Sequence, residues 1–160
     1  MTSTAVPLAT HREFIAAAVD QLVATLERLG DGRINERPAL AGANSPSGIV
    51  VHCCGVMEWW GGHVIAGRTV SRDREAEFRT VGSVAEITGR LRAQRRQLEL
   101  DLVDFAADDA PRGGIAPAGQ YGRTHPTQGH VLLHIYEELT RHQGQLDLTE
   151  DLLMSEPARR

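Results

Sequence analysis

Apolar residues recur every three or four positions in four stretches of the chain, and this spacing predicts four amphipathic helices. Phe14, Leu22 and Leu26 mark the apolar stripe of the first helix, and Ile87 and Leu91 begin that of the third. Polar connections rich in glycine, proline and charged residues separate the stretches. The predicted helices cover about residues 10–30, 46–66, 83–107 and 127–153.

Three of the predicted helices begin with residues that suit a helix N-terminus. These signals are two capping boxes and one Ser-Pro step, namely Thr10 to Glu13, Ser83 to Glu86, and Ser45-Pro46. Gly30 and Gly67 suit the ends of the first and second helices, because glycine readily adopts the left-handed conformation there. Gly55, Gly61 and Gly62 weaken the second helix, so we expect packing to support it and another segment to come close.

The fold expected from this pattern is all-α, a four-helix bundle in one domain spanning residues 1–160. No stretch alternates strongly enough to compete as a strand. Aromatic residues make up only 4% of the chain, so the core must rest on leucine, valine, isoleucine and alanine. Two long connections allow crossovers that a simple up-down-up-down bundle does not need.

The charge pattern disfavours a nucleic-acid partner. The formal net charge is −4, and no run of basic residues forms a track. Arg92, Arg95 and Arg96 are interleaved with Glu99 and Asp101 on one predicted helix, which is typical of a solvated face.

The two cysteines, Cys53 and Cys54, are adjacent in a predicted helix and point in different directions, so they cannot easily form a disulfide. We expect buried free thiols in a reducing cytoplasm. The N-terminus lacks the pattern of a signal peptide, and no apolar stretch is long enough to cross a membrane.

The last helix carries the residues most suited to chemistry. His130, His134, Glu138 and His142 follow one another at four-residue steps, which places them on one helix face together with core residues such as Val131. Buried imidazoles and carboxylates are costly unless they are paired or bind a metal ion. His134 and His142 are about 12 Å apart along the axis, so one ion can take only two neighbours of the run.

A further ligand must therefore come from another helix, and His52 on the second helix is the candidate. His63 lies about 16 Å further along that helix and cannot join the same site. Spacing alone leaves three partners open for His52, the pairs His130/His134, His134/Glu138 and Glu138/His142.

A mixed set of imidazoles and a carboxylate suits Zn²⁺, and also Ni²⁺ or Fe²⁺. Three protein ligands leave a coordination position open, as in catalytic sites. Gln145 lies on the same face and is a candidate to orient a ligand. His134, Trp59 and His63 are further candidates for a pocket beside the ion, although the two adjacent tryptophans are more typical of packing residues.

Three segments together resemble the DinB-like metal-binding bundles, in the actinobacterial branch that is similar to the N-terminal domain of mycothiol-dependent maleylpyruvate isomerase. These segments are Ser45 to Trp60, Arg72 to Phe78, and Leu133 to Asp147. The resemblance implies an up-down-down-up helix order and three ligands, one His from the second helix and a pair from the last. The Glu-x3-His form of that pair matches Glu138 and His142, so the resemblance selects His52, Glu138 and His142 as the ligand set.

The activities of that family depend on low-molecular-weight thiols such as mycothiol or bacillithiol. We expect no counterpart of the additional C-terminal domain of the isomerase, and therefore transfer of a mycothiol-type thiol to a small electrophile rather than isomerisation. Two alternatives stay open. One is a non-catalytic metal- or ligand-binding protein of stress response, and the other is a structural homodimer without a metal ion.

Overall fold

The computed structural model describes residues 6–114 and 126–155, and these residues form helices and connecting loops without any strand. An all-α fold is therefore confirmed. The α-helices are α1 (Leu8–Leu29), α2 (Pro46–Met57), α3 (Arg74–Glu77), α4 (Val84–Asp101) and α5 (Gln128–Ser155). Residues 1–5, 115–125 and 156–160, which include most of the connection before the last helix and the end of the chain, lie outside the described residues.

The start of α1 differs from the sequence prediction. The helix begins at Leu8 with Pro7 at the N-cap, and no side chain caps it. Thr10 therefore lies inside the first turn, and the predicted capping box with Glu13 is wrong. The end is as expected, because Gly30 adopts φ 65° and its N–H donates to the Leu26 carbonyl.

Helix α2 begins as predicted and then changes its geometry. The Ser45 hydroxyl accepts a hydrogen bond from the Gly48 N–H at 3.2 Å, and Pro46 occupies the first turn. The chain continues without a break as a π-helix, Glu58–Ile65, whose wider turns show in the bond from the Ala66 N–H to the Gly61 carbonyl. Gly67 follows with φ 76°.

The charged connection after Gly67 contains the short helix α3, which the apolar pattern did not predict. Asp73 caps it by accepting a hydrogen bond from the Ala76 N–H at 2.9 Å. The segment from Arg72 to Phe78 lies against α2 and contributes to the candidate site described below.

Helix α4 starts with the predicted capping box, in which Ser83 and Glu86 bond each other's backbone N–H groups. It ends at Asp101, six residues before the predicted end near Ala107. The residues that would extend α4 instead form hydrogen bonds with the start of α5. The Ala106 N–H donates to Oε1 of Gln128, and the Gly129 N–H donates to the Ala107 carbonyl.

Side-chain contacts give the direction of each long helix. Residue numbers rise together along α1 and α5, where Thr25 contacts Gln143 and Arg28 contacts Glu150. These two helices are therefore parallel.

The numbers run in opposite directions along α1 and α4, in the pairs Arg12–Glu99 and Glu27–Arg92. They also run in opposite directions along α5 and along α2 with its π-helical continuation, as the pairs His52–His142 and Trp60–His134 show. The long helices thus follow an up-down-down-up order, with α1 and α2 each packed between α4 and α5.

The buried apolar side chains of the long helices form one continuous core. Leu22 and Leu26 of α1 are fully buried. Phe14 is 54% exposed, so the prediction that it belongs to the core, made from its position on the stripe, is wrong. Gly61 lets α4 come close, because a Cβ atom there would lie 2.4 Å from Leu98 Cδ1. Among the described helices, none is long and apolar enough to cross a membrane.

Candidate metal centre

His52 on α2 meets Glu138 and His142 on α5 between the two helices, where His52 is buried and the other two side chains are half-buried. Each of the three side chains offers a ligand atom, and these atoms all lie within 4.8 Å of one another. The rings of His52 and His142 stand edge to face with centroids 4.6 Å apart. Nε2 of His142 lies 3.6 Å from Oε2 of Glu138. Of the three pairs that spacing left open, the structure places Glu138/His142 beside His52.

A carboxylate from the α3 segment holds the ring of His52. Oε2 of Glu77 lies 2.7 Å from Nδ1 of His52, and both side chains are buried. Burial alone would raise the pKa of Glu77, but hydrogen bonds from His52 and Arg72 outweigh it and keep the pKa below 4.5. The ionised carboxylate can only accept, so Nδ1 of His52 donates to it, and Nε2 is the ring nitrogen directed away from Glu77.

Arg72 and Phe78 complete the support of that ring. Arg72 makes two hydrogen bonds to Glu77, at 2.7 and 3.0 Å, and Phe78 stacks on the imidazole with centroids 4.7 Å apart. Gly55 makes room for this arrangement, since a Cβ atom there would lie 2.0 Å from Oε1 of Glu77. The imidazole of His52 is therefore fixed by hydrogen bonding on its edge and by stacking on its face.

The second imidazole is oriented by a neutral partner on its own helix. Nδ1 of His142 donates to Oε1 of Gln145 at 2.9 Å, which leaves Nε2 on the side of Glu138. Burial lowers the pKa of His142 below 6.5, with a smaller contribution from the nearby His52. Both effects favour a neutral ring with a lone pair available at neutral pH.

Glu138 is held in place by Arg141, one turn further along α5. Arg141 donates to Oε1 of Glu138 and also to Oε1 of Glu137 at 2.6 Å. Oε2 of Glu138 remains on the side of His142. The carboxylate therefore has one oxygen in an ion pair and one directed toward the two imidazoles.

Trp59 and the other histidines that the structure describes lie outside the convergent set. Nδ1 of His130 accepts from the Thr127 N–H at 3.0 Å, as expected for a residue at a helix start. Trp59 and His63 contact each other, with centroids 4.4 Å apart, and neither lines the cavity at the site. Trp60, which follows Trp59 in the π-helix, does line that cavity.

A cavity of about 270 Å³ opens beside His52 and Glu138. Its lining includes His134, whose ring meets that of Trp60 edge to face at 5.0 Å. His134 was predicted as a pocket candidate and lies in this wall. The remaining lining residues are Val56, Arg72, Arg74 and Arg141.

Sequence reasoning missed the role of Glu77. The segment from Arg72 to Phe78 stands out in the sequence only by its family resemblance, because it is a charged connection without apolar periodicity. A signal was nevertheless present, since Gly55 lies one helical turn after His52 and leaves space on that side of α2.

Cys53 and Cys54 are free and buried, as expected. Burial raises the pKa of Cys53 well above 9.0 and that of Cys54 to about 12. Neither thiol is therefore a source of thiolate at neutral pH.

An up-down-down-up bundle with a His from its second long helix facing a Glu-x3-His pair on its last defines the DinB-like class of helical bundles. Within that class the chain belongs to the mycothiol-S-transferase family, whose family model matches residues 10–153. A crystal structure described as the conserved protein of locus from Enterococcus faecalis has the same fold. It superposes with a TM-score of 0.68 at 16% identity and covers 95% of this chain and 100% of its own. No curated protein gave a significant match.

Proposed function

We propose that this protein is a divalent-metal-dependent S-transferase that joins a low-molecular-weight thiol of the mycothiol type to a small electrophile. The observation that carries the proposal is the convergence of His52, Glu138 and His142 beside an open cavity. Membership of the mycothiol-S-transferase family supports the reaction class.

The donor set fits a divalent ion. Two imidazoles and one carboxylate oxygen are ligands that suit Zn²⁺, which we take as the native metal, and also Ni²⁺ or Fe²⁺. Glu77 and Gln145 would hold the two ligand rings, as hydrogen-bond partners of metal-binding histidines commonly do. A bound divalent ion would supply Lewis acidity, which keeps a coordinated thiol in its thiolate form at neutral pH.

The thiol in this reaction is a co-substrate and does not come from the protein. Cys53 and Cys54 are buried, and the raised pKa of each keeps it protonated. In the transfer, the thiol sulfur forms a bond to the electrophilic carbon, the leaving group departs with its electron pair, and the thiol proton passes to solvent. The cavity beside His52 and Glu138 would hold the electrophile and exclude bulk water from the reacting atoms. We place the protein in the cytoplasm, where low-molecular-weight thiols are kept reduced.

Metal content tests the ligand set. The protein is purified without an affinity tag, and the ratio of metal to chain is measured for the wild type and for Glu138→Ala and His142→Ala. We expect one ion per chain in the wild type and little in either variant. His130→Ala is the matched control from the same helix, and it should keep its metal. Equal metal content in all four proteins would overturn the assignment.

Turnover tests the reaction class. The metal-loaded protein is mixed with mycothiol and 1-chloro-2,4-dinitrobenzene, and thioether formation is followed with and without a chelator. We expect catalysis that the chelator abolishes and the added metal restores. Stoichiometric metal without turnover of this or any other activated chloroarene would contradict the transferase and favour a non-catalytic metal-binding protein.

A further inference from the structure

The cavity at the candidate metal centre is lined by more positive than negative side chains. Arg72, Arg74 and Arg141 lie in its wall, whereas Glu138 is the one carboxylate among the lining residues of the described chain. Arginine is the side chain best suited to hold carboxylates and other anions, because its guanidinium group offers several donors in one plane.

Two of the three arginines are already neutralised by carboxylates. Arg72 is bonded through two nitrogens to Glu77, and Arg141 is paired with both Glu137 and Glu138. Arg74 differs from them. Its guanidinium carbon lies 5.6 Å from the centroid of the Phe78 ring. It makes no ion pair with any residue in the described part of the chain.

The position of Arg74 is tied to the site and not to a remote surface. Its side chain lies over Phe78, and Phe78 in turn stacks on His52. The exposed Arg74 side chain therefore lies at the rim of the cavity, and the ring of Phe78 connects it to His52. The buried side chains of Val56 and Trp60 supply an apolar part of the same wall.

We propose that the electrophile taken by this cavity is a small molecule with an apolar body and an anionic group, such as a carboxylate, and that Arg74 binds this group. The proposal rests on the transferase function proposed above. A divalent ion held by Glu138 as its one carboxylate ligand would leave one positive charge in excess, which a thiolate would balance. The charge of Arg74 then remains for a second anion.

A pair of electrophiles that differ only in charge tests this substrate class. The anionic substrate is 4-chloro-3,5-dinitrobenzoate, and the neutral one is its methyl ester. In both, the thiol sulfur replaces chloride on the same ring carbon, so that a C–S bond forms while the C–Cl bond breaks and chloride leaves. We expect the protein to prefer the anion, measured as kcat/KM relative to the uncatalysed rate of each compound.

Substitution identifies the residue responsible. Arg74→Gln should lower kcat/KM for the anion about five- to tenfold, the range expected for a charged hydrogen bond in a partly open site, and leave the ester nearly unchanged. Arg79→Gln is the control, because Arg79 is on the same segment, is exposed and pairs with Glu75 away from the cavity. Equal effects on both electrophiles, or an effect on the KM for mycothiol alone, would overturn the proposal.

Binding without reaction separates this proposal from the transferase itself. Calorimetry of the metal-loaded protein with unreactive 3,5-dinitrobenzoate and its methyl ester needs no turnover. We expect the carboxylate to bind more tightly than the ester, and Arg74→Gln to remove the difference. If the anion binds in this way but neither chloroarene is converted, the transferase function fails and the anion site stands. If the two ligands bind equally, the anion site fails whether or not the protein is a transferase.

Discussion

Nδ1 of His52 lies 2.7 Å from Oε2 of Glu77, a residue 25 positions further along the chain and on a different helix. The contact is buried and is supported by Arg72. A carboxylate in this position fixes the tautomer and the orientation of the imidazole, so that Nε2 faces the other candidate ligands. The α3 segment thus shapes the candidate site without supplying one of the convergent donors.

Glu77→Gln should weaken zinc binding about 10- to 100-fold, because the amide accepts a weaker hydrogen bond from His52 and no longer balances Arg72. Affinity is measured by competition with a chromophoric chelator. Glu75→Gln is the matched control on the same short helix, and its exposed side chain should leave the affinity unchanged. An unaltered affinity in Glu77→Gln, with the melting temperature preserved, would refute the orienting role.

Gly55→Ala should also weaken zinc binding, because the added methyl group displaces Glu77 sterically. The added methyl group would lie 2.0 Å from Oε1 of Glu77, so the carboxylate must move away from His52. We expect weaker zinc binding together with a lower free energy of unfolding. Gly89→Ala, at a helical position where an added Cβ meets no atom within 4 Å, is the control and should bind zinc normally.

The stability of the metal-free protein should fall as the pH drops below about 6.5. Burial lowers the pKa of His142 in the folded state, so the unfolded chain takes up a proton on this ring first. The loss begins at the unfolded pKa and continues until the folded-state pKa is passed. We expect His142→Asn to flatten this part of the profile, measured by urea unfolding with chelator present. A slope identical to that of the wild type would show that His142 does not contribute.

Of the two predicted capping boxes, the one at the start of α4 was confirmed and the one at the start of α1 was wrong. Ser83→Ala should lower the free energy of unfolding by about 1 kcal/mol, because the Glu86 N–H loses its acceptor. Thr10→Ala should change it by less than about 0.5 kcal/mol, since this residue caps nothing. Urea unfolding of both variants checks the pair, and equal losses would mean that α1 begins at Thr10 after all.

Helical periodicity was sufficient to predict the all-α fold and the approximate course of the long helices. It failed where contacts between distant segments decide the structure. Helix α4 ends at Asp101 because residues after it bond to the start of α5, and neither the local sequence nor its apolar spacing records those bonds. Phe14 fits the apolar stripe by spacing but lies in the second turn of α1, where it is largely exposed.

The candidate site, like the fold, could be predicted from the sequence only in part. Four-residue spacing placed Glu138 and His142 on one face of a helix, and geometry required a further ligand from elsewhere. Spacing could not choose between that pair and its neighbours, because the axial position of α5 against α2 is set by packing along the whole bundle. Glu77 could not be assigned from spacing either, since a residue in an aperiodic connection carries no information about which helix face it meets.

X-ray absorption at the zinc edge reports directly whether His52, Glu138 and His142 hold an ion. On protein purified without a tag and dialysed free of low-molecular-weight thiols, we expect nitrogen and oxygen neighbours at about 2.0–2.2 Å, with outer-shell scattering from two imidazoles. Glu138→Ala and His142→Ala should each lose the signal or one of its components. Sulfur neighbours at about 2.3 Å in this thiol-free protein, or zinc with a spectrum unchanged in both variants, would place the ion elsewhere and rule out this ligand set.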